Sequence, residues 1–166
     1  FLYVLGRFKS LLIASDGEKY SPEGMEEAIV DKSPYIDQII VHNNQSPFTG
    51  AIVVPNREAL RRELDSRGVA AEKRAETAAA ILGGEIDRYR AGGIFGGEFP
   101  ERWLAAGLAI VDEPFTEQNG LVNSTMKVVR NKVEEHFRDR LEYLYTPEGR
   151  DLKNPKNLAS LKKIVD

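Results

Sequence analysis

The sequence predicts an α+β domain, a small mixed or antiparallel sheet with helices packed on it. Three observations predict it. Tyr35 to His42 and Thr49 to Val54 are two β-rich runs separated by the polar stretch Asn43-Asn44-Gln45-Ser46-Pro47, the pattern of an antiparallel hairpin. Ala75, Ala79, Leu82, Ile86 and Tyr89 recur at steps of three and four, the buried stripe of a helix. Strand and helix signals follow one another without the strict alternation of a parallel α/β protein.

The elements justify that class in chain order. Phe1 to Leu5 and Leu11 to Ser15 read as short strands around Gly6 to Ser10. Ser21-Pro22-Glu23 reads as a helix start: Ser as cap, Pro at the first helical position, Glu toward the positive end of the dipole. Met25 and Ile29 then share one face. After the hairpin, Pro55-Asn56 stops the second strand, and Arg57 to Arg67 and Glu72 to Arg90 are helical. Gly83-Gly84 falls inside the second of these and should weaken or kink it. Gly92-Gly93-Ile94-Phe95-Gly96-Gly97 reads as a loop. Leu108 to Val111 is another strand. One helix starts near Val128, with Val129, Val133, Phe137 and Leu141 inward and Glu134, Glu135, Arg138 and Asp139 outward. A last short helix spans Leu158 to Ile164. Phe99, Trp103, His42 and His136 read as core or element-face residues.

Composition narrows the function. The chain has 166 residues, enough for one domain with a real core, and 42% of them are apolar. The formal net charge of −3 lacks the dense basic face of a general nucleic-acid binder. With no cysteine there is no disulfide or thiolate metal site, which fits a reducing, cytoplasmic setting. The first residue is Phe, as expected of a piece of a longer polypeptide. The opening residues lack the unbroken apolar stretch of roughly 7–15 residues that a secretory signal needs.

Three constellations could carry chemistry. In Gly6-Arg7-Phe8-Lys9, two cations two residues apart project to one side of a strand. They could be a solvated basic edge or a grip on phosphate and ribose oxygens. Asp16-Gly17-Glu18-Lys19 reads as a turn, Asp-Gly being a common turn pair, and a glycine there also lets a thin ligand pass close to backbone. In Asn119-Gly120-Leu121-Val122-Asn123-Ser124-Thr125-Met126-Lys127-Val128-Val129-Arg130, a lysine on a polar loop precedes a helix. It could be one surface lysine among many, or an ammonium used on developing negative charge.

The order and spacing of these segments resemble the C-terminal domain of adenylate-forming enzymes, the AMP-forming acyl-CoA synthetases and their relatives. The resemblance covers roughly Phe1 to Pro55 and Leu108 to Tyr145. In that family a Gly-Arg pair opens the region, a glycine turn and helix follow, and a hydroxyl-rich loop ending in Gly-Lys-x-x-Arg carries a catalytic lysine. Here Met126 replaces that glycine, and the Thr125-Met126-Lys127 variant is most similar to long-chain fatty-acid CoA ligases. The resemblance implies a mobile lid spanning 1–166 that works with its own N-terminal domain on fatty acid, ATP with Mg2+, and coenzyme A. It implies Lys127 as the catalytic lysine, Arg7 as a nucleotide contact and Lys9 as the hinge. Gly17, Glu18 and Lys19 would line the coenzyme A tunnel. It also implies Mg2+ ligands in the N-terminal domain, inactivity of the isolated fragment, and a cytoplasmic enzyme for which peripheral membrane contact stays open.

Pro155-Lys156-Asn157-Leu158-Ala159-Ser160-Leu161-Lys162 echoes the same lysine motif out of register, which makes Lys162 the runner-up. The stretch 57–101 reads as a helical insertion. It could touch the N-terminal domain, a partner or a membrane surface, or simply extend the core. Two other classes stay open: an adenylation domain that loads a carrier protein, and a non-enzymatic α+β interaction module.

Overall fold

The computed structural model describes residues 11–166. The expected strand over Phe1 to Leu5, the nucleotide contact Arg7 and the hinge Lys9 lie outside the described residues. Two strands, β1 (Leu12–Ile13) and β2 (Lys19–Tyr20), form a small antiparallel hairpin. The main sheet has the order β3-β4-β5, from β3 (Ile36–His42), β4 (Gly50–Pro55) and β5 (Gly107–Ile110). β3 and β4 are the antiparallel hairpin the sequence predicts, with Ile39 opposite Val53 and Val41 opposite Ala51. β5 runs parallel to β4, so the sheet is mixed.

A parallel pair cannot be closed by a tight turn and needs a crossover. Helix α1 (Glu23–Lys32) precedes the sheet, while α2 (Arg57–Ser66) and α3 (Arg74–Asp87) lie in that crossover and carry the chain from β4 toward β5. After β5 come α4 (Arg130–His136), α5 (Arg138–Leu144), α6 (Pro147–Arg150) and α7 (Pro155–Val165). The α+β class is as predicted.

Period-two alternation decides which face each strand residue serves. Ile39, Val41, Ala51, Val53, Leu108 and Ile110 pack with the hairpin and with α1, α2, α3 and α7. Ile40, Ile52, Val54, Ala109 and Val111 pack on the other face with α4, α5 and the segment around Phe115 and Leu121. The sheet is therefore the middle layer of three. Leu60, Leu64, Ala78, Ala79 and Leu82 are fully buried, so the helices of 57–101 extend the core.

Four local expectations are corrected. Ser21 does not cap α1: Pro22 takes the cap position, already near helical at φ −82° and ψ −17°, and no side chain caps there. α3 runs unbroken through Gly83-Gly84, because Gly83 is a packing notch: a Cβ there would lie 2.6 Å from Leu152 Cδ2. The single helix expected from Val128 is two. Phe137 leaves helical geometry at φ −106° and ψ 27° while its ring packs near Phe115, 6.0 Å between centroids. No glycine or proline marks that break. The last helix starts earlier than expected, at Pro155, because Asn154 accepts from Asn157 N at 2.8 Å.

Asn157 carries a load that its sequence neighbourhood does not show. Its side chain is wholly buried and works as a substitute strand at the edge of β5. Nδ2 donates to Leu108 O at 2.9 Å and Leu152 O at 3.0 Å. Oδ1 accepts from Ile110 N at 2.9 Å and Arg140 Nη2 at 2.7 Å. Unsatisfied buried groups cost about 1–3 kcal/mol each. Asn157→Ala is expected to destabilise the domain by about 3 kcal/mol, read as a lower urea midpoint. A variant within about 0.5 kcal/mol of wild type, the range of a neutral surface change, would contradict the edge-strand role.

Candidate functional site

The loop that carries Lys127 is built from its two ends inward. At the entry, Phe115 exchanges two hydrogen bonds with the side chain of Gln38: its N–H donates to Oε1 at 2.8 Å and its carbonyl accepts from Nε2 at 3.0 Å. Leu121 and Val122 are buried, and Val122 pairs antiparallel with Val128. Asn123 then organises the tip. Its Oδ1 accepts from Thr125 N at 3.0 Å, Thr125 Oγ1 at 2.7 Å and Lys127 N at 3.0 Å. Met126 sits between them at φ +64°, in the left-handed region. The departure from glycine that the sequence shows at this position has thus changed the side chain and kept the glycine-like backbone.

A left-handed residue with a Cβ costs about 1–2 kcal/mol, and the Met126 side chain is 74% exposed, so it recovers little of this by packing within the described residues. Met126→Gly is expected to stabilise the domain by up to about 1 kcal/mol, glycine's own entropy cost offsetting part of the gain. The denaturant midpoint measures it, and a lower midpoint would mean that Met126 makes a stabilising contact.

Lys127 follows this turn. Its side chain is exposed and makes no hydrogen bond or ion pair with the described residues, so its ammonium is available to a ligand. The exit of the loop is fixed by Arg130. Its guanidinium grips both oxygens of Glu26, at 2.6 and 2.9 Å, and donates to Val41 O at 3.0 Å. Val41 N donates to Glu26 Oε2 at 2.6 Å. Glu26 is buried, and burial pushes its carboxyl above the ordinary range, against the opposing pull of Arg130 and the Val41 N–H. This pair ties α1, β3 and the lysine loop together. No local feature of the sequence pairs Glu26 with Arg130.

The second candidate is the β1–β2 turn. Gly17 N donates to Ala14 O at 2.9 Å and Glu18 N to Asp16 Oδ1 at 2.9 Å. Gly17 has φ +88°, and a Cβ there would meet nothing within 4 Å. The turn conformation therefore demands the glycine, while the space beside it is open. Glu18 is committed: it accepts from Arg102 Nε and Nη2 at 2.7 and 2.5 Å and from Trp103 Nε1 at 3.3 Å. Those bonds hold its carboxyl below the usual range. Lys19 is exposed.

The two candidates are not brought into one pocket. Leu12 and Tyr20 anchor the Gly17 turn on one face of the sheet, and Leu121 and Val122 anchor the Lys127 loop on the other. Lys162, the runner-up lysine, lies on the exposed side of α7, in a segment whose Asn157 is structural.

A groove of about 420 Å³ beside α4 is lined by His42, Asn44, Glu134, Arg138 and Tyr145, among others. His42 Nδ1 lies 2.9 Å from Tyr145 Oη, and its Nε2 lies 3.7 Å from Glu134. Burial, helped by Arg130, lowers the His42 pKa, and burial pushes Tyr145 up to about 12. His42 ends β3, in line with its reading as a strand position. His136 pairs with Glu113 at 2.8 Å.

The domain thus carries an exposed lysine on a locked loop anchored in one apolar cluster and a glycine turn anchored in the other. Comparison with known proteins gives its family. Residues 9–80 match the family model of the AMP-binding enzyme C-terminal domain. A probable chloroplastic acyl-activating enzyme of Arabidopsis thaliana is 33% identical over 84% of the chain. A chloroplastic long-chain-fatty-acid–[acyl-carrier-protein] ligase of the same plant is 31% identical over 85% of it. The chain spans 19% and 17% of these two relatives. In the crystal structure of the adenylation domain of a carboxylate reductase from Mycobacterium chelonae, 20% of that chain matches 84% of this one, at 29% identity and a TM-score of 0.63. Other homologues are named long chain acyl-CoA synthetase 8, from Arabidopsis thaliana, and long-chain-fatty-acid–CoA ligase 1, from Cavia porcellus. The chain belongs to the C-terminal domains of the adenylate-forming enzymes.

Proposed function

We propose that this chain is the mobile lid of an ATP-dependent, AMP-forming fatty-acid CoA ligase, and that its two sheet faces serve the two half-reactions in turn. In the first, a fatty-acid carboxylate oxygen attacks the α-phosphorus of ATP, the acyl-adenylate forms and pyrophosphate leaves. Negative charge grows on the phosphoryl oxygens and the leaving group. The Lys127 ammonium, a compact charge with three donors on a long stem, stabilises it. In the second, the thiol of coenzyme A attacks the acyl carbon, a thioester forms and AMP leaves. The Gly17 turn lines the path of the thiol arm, its open side leaving room beside the backbone. Rotation about Lys9 exchanges the two faces, and Arg7 contacts the nucleotide.

The observation that supports this reading best is that the Gly17 turn and the Lys127 loop are anchored in two different apolar clusters on either side of the sheet, because a single static site would need them together. Among the described residues no group of three or more His, Asp or Glu side chains is placed to hold a metal ion. The ligands of the Mg2+ that accompanies ATP are assigned to the N-terminal domain. Among the described residues no helix is long and apolar enough to cross a membrane.

A second reading has its own support. One relative is named as a ligase for acyl carrier protein, and a matched structure contains a carboxylic acid reductase A domain joined to a PCP domain. In that reading the Gly17 turn meets a phosphopantetheine arm attached to protein. Competition of coenzyme A against a phosphopantetheinylated carrier, in the enzyme carrying this domain and supplied with acyl-adenylate, separates the two. Preferred transfer to coenzyme A supports the first reading, and preferred transfer to the carrier replaces it.

A further inference from the structure

The Gly17 turn does not stand on its own two short strands. Glu18, next to the glycine, is gripped by the guanidinium fork of Arg102 and by Trp103 Nε1. The Trp103 ring stacks on Tyr20 at 5.1 Å between centroids and 12° between planes. Tyr20 Oη lies 2.6 Å from Thr49 Oγ1, and Thr49 Oγ1 donates to Arg102 O at 2.9 Å. Arg102 and Trp103 are held in turn from α3. Arg90 donates to Ala105 O at 2.6 Å and to Glu101 at 3.1 Å, while its Nε bonds Asp87 at 2.9 Å. A continuous chain of bonds therefore runs from the end of α3 through residues 101–105 to the residue beside Gly17. None of these contacts touches the Lys127 loop, which has its own anchor in Glu26 and Arg130.

Resting on the lid reading above, we propose that Arg102 and Trp103 are positioning residues for thioester formation: they hold Glu18, and through it the Gly17 turn, in the arrangement that admits the thiol arm. The segment from Arg90 to Ala105 is then a strut between the helical layer and the turn. Glu18 acts as the strut's attachment point, its carboxylate spent on Arg102 and Trp103 and not on the ligand. A displacement of about 1 Å at a reacting arrangement can cost roughly a hundredfold in rate, so a turn held by few local bonds has reason to be braced.

The test uses the full enzyme carrying this domain, in single-turnover assays of each half-reaction. Arg102 is 58% exposed at its side chain, so Arg102→Ala removes the grip without emptying the core. The expected result is a loss of about tenfold or more in thioester formation from supplied acyl-adenylate, with pyrophosphate release from fatty acid and ATP unchanged. The exchanged pair Glu18→Arg with Arg102→Glu restores the ion pair but not the Trp103 bond, because a guanidinium cannot accept from the indole N–H, so it should recover part of the thioester rate, which a ligand contact by Glu18 would not allow. Full thioester activity in Arg102→Ala, or no recovery in the exchanged pair, overturns the inference. Gly17→Val distinguishes the two levels of failure: if it blocks thioester formation while Arg102→Ala does not, the strut falls and the lid reading stands. If Gly17→Val is also fully active, the lid reading falls.

Discussion

Lys127→Ala should lower fatty-acid-dependent pyrophosphate release by about 10²–10³-fold, the usual effect of removing one preorganised donor to developing charge. Thioester formation from supplied acyl-adenylate should survive. The structure makes this a clean substitution. Lys127 contributes its backbone N–H to Asn123 Oδ1 and pairs with Asn123 through its carbonyl, and both bonds remain in an alanine. Its side chain is exposed and has no hydrogen-bonding or ionic partner among the described residues. Loss of activity therefore reports the ammonium and not the loop. Arginine at this position should restore little, because its planar fork and spread charge do not reproduce a compact ammonium.

Arg130→Met should destabilise the domain by about 3–5 kcal/mol at neutral pH, the usual cost of removing one partner from a buried ion pair. The side chains of Arg130 and Glu26 are 18% and 11% exposed, so solvent screens the pair weakly. The variant leaves the Glu26 carboxylate with one backbone N–H and no cation. The pH dependence has a definite sign. Burial already raises Glu26 above its ordinary value of 4.5. The folded state thus binds this proton more readily than the unfolded chain. Its contribution to stability is present below that ordinary value and is lost as pH rises through the raised folded value. Removing Arg130 raises the folded value further. The gap between variant and wild type should be widest near neutral pH and should close as the medium is acidified below the ordinary carboxylate range. Urea denaturation at both ends of that range measures it, and a gap that widens on acidification would contradict the assignment.

Much of the fold was legible because local chemistry and tertiary packing agree. The polar stretch from Asn43 to Pro47 joins the two runs that become β3 and β4, and the stripe from Ala75 to Tyr89 is the buried side of α3 and its extension. The failures share one cause, a long-range partner that outweighs the local signal. Gly83 looks like a weak point until Leu152 fills its notch. Phe137 looks like the middle of a helix until it packs near Phe115. Asn157 looks like part of a displaced lysine motif until β5 needs an edge partner. The Asn154-Pro155 pair did carry a local signal for the helix start that the reading passed over.

The candidate site divides in the same way. Gly17 and Lys127 stand out in sequence through their turn chemistry and family-like spacing. The Glu26–Arg130 pair joins residues 104 positions apart, and Glu18 meets Arg102 across 84. No local pattern encodes such separations. Met126 lies between these cases: its identity argued against a glycine position, and its φ of +64° shows that the backbone kept one.

The most direct test of the two-face account sets Lys127→Ala beside Gly17→Val in the full enzyme and assays each half-reaction in a single turnover. A Cβ at Gly17 meets nothing within 4 Å, but a β-branched valine cannot comfortably hold φ +88°, so the turn must deform. A crossed result is predicted: Lys127→Ala loses pyrophosphate release and keeps thioester formation, while Gly17→Val keeps the first and loses the second. Loss of the same half-reaction in both variants, or of neither, would contradict it.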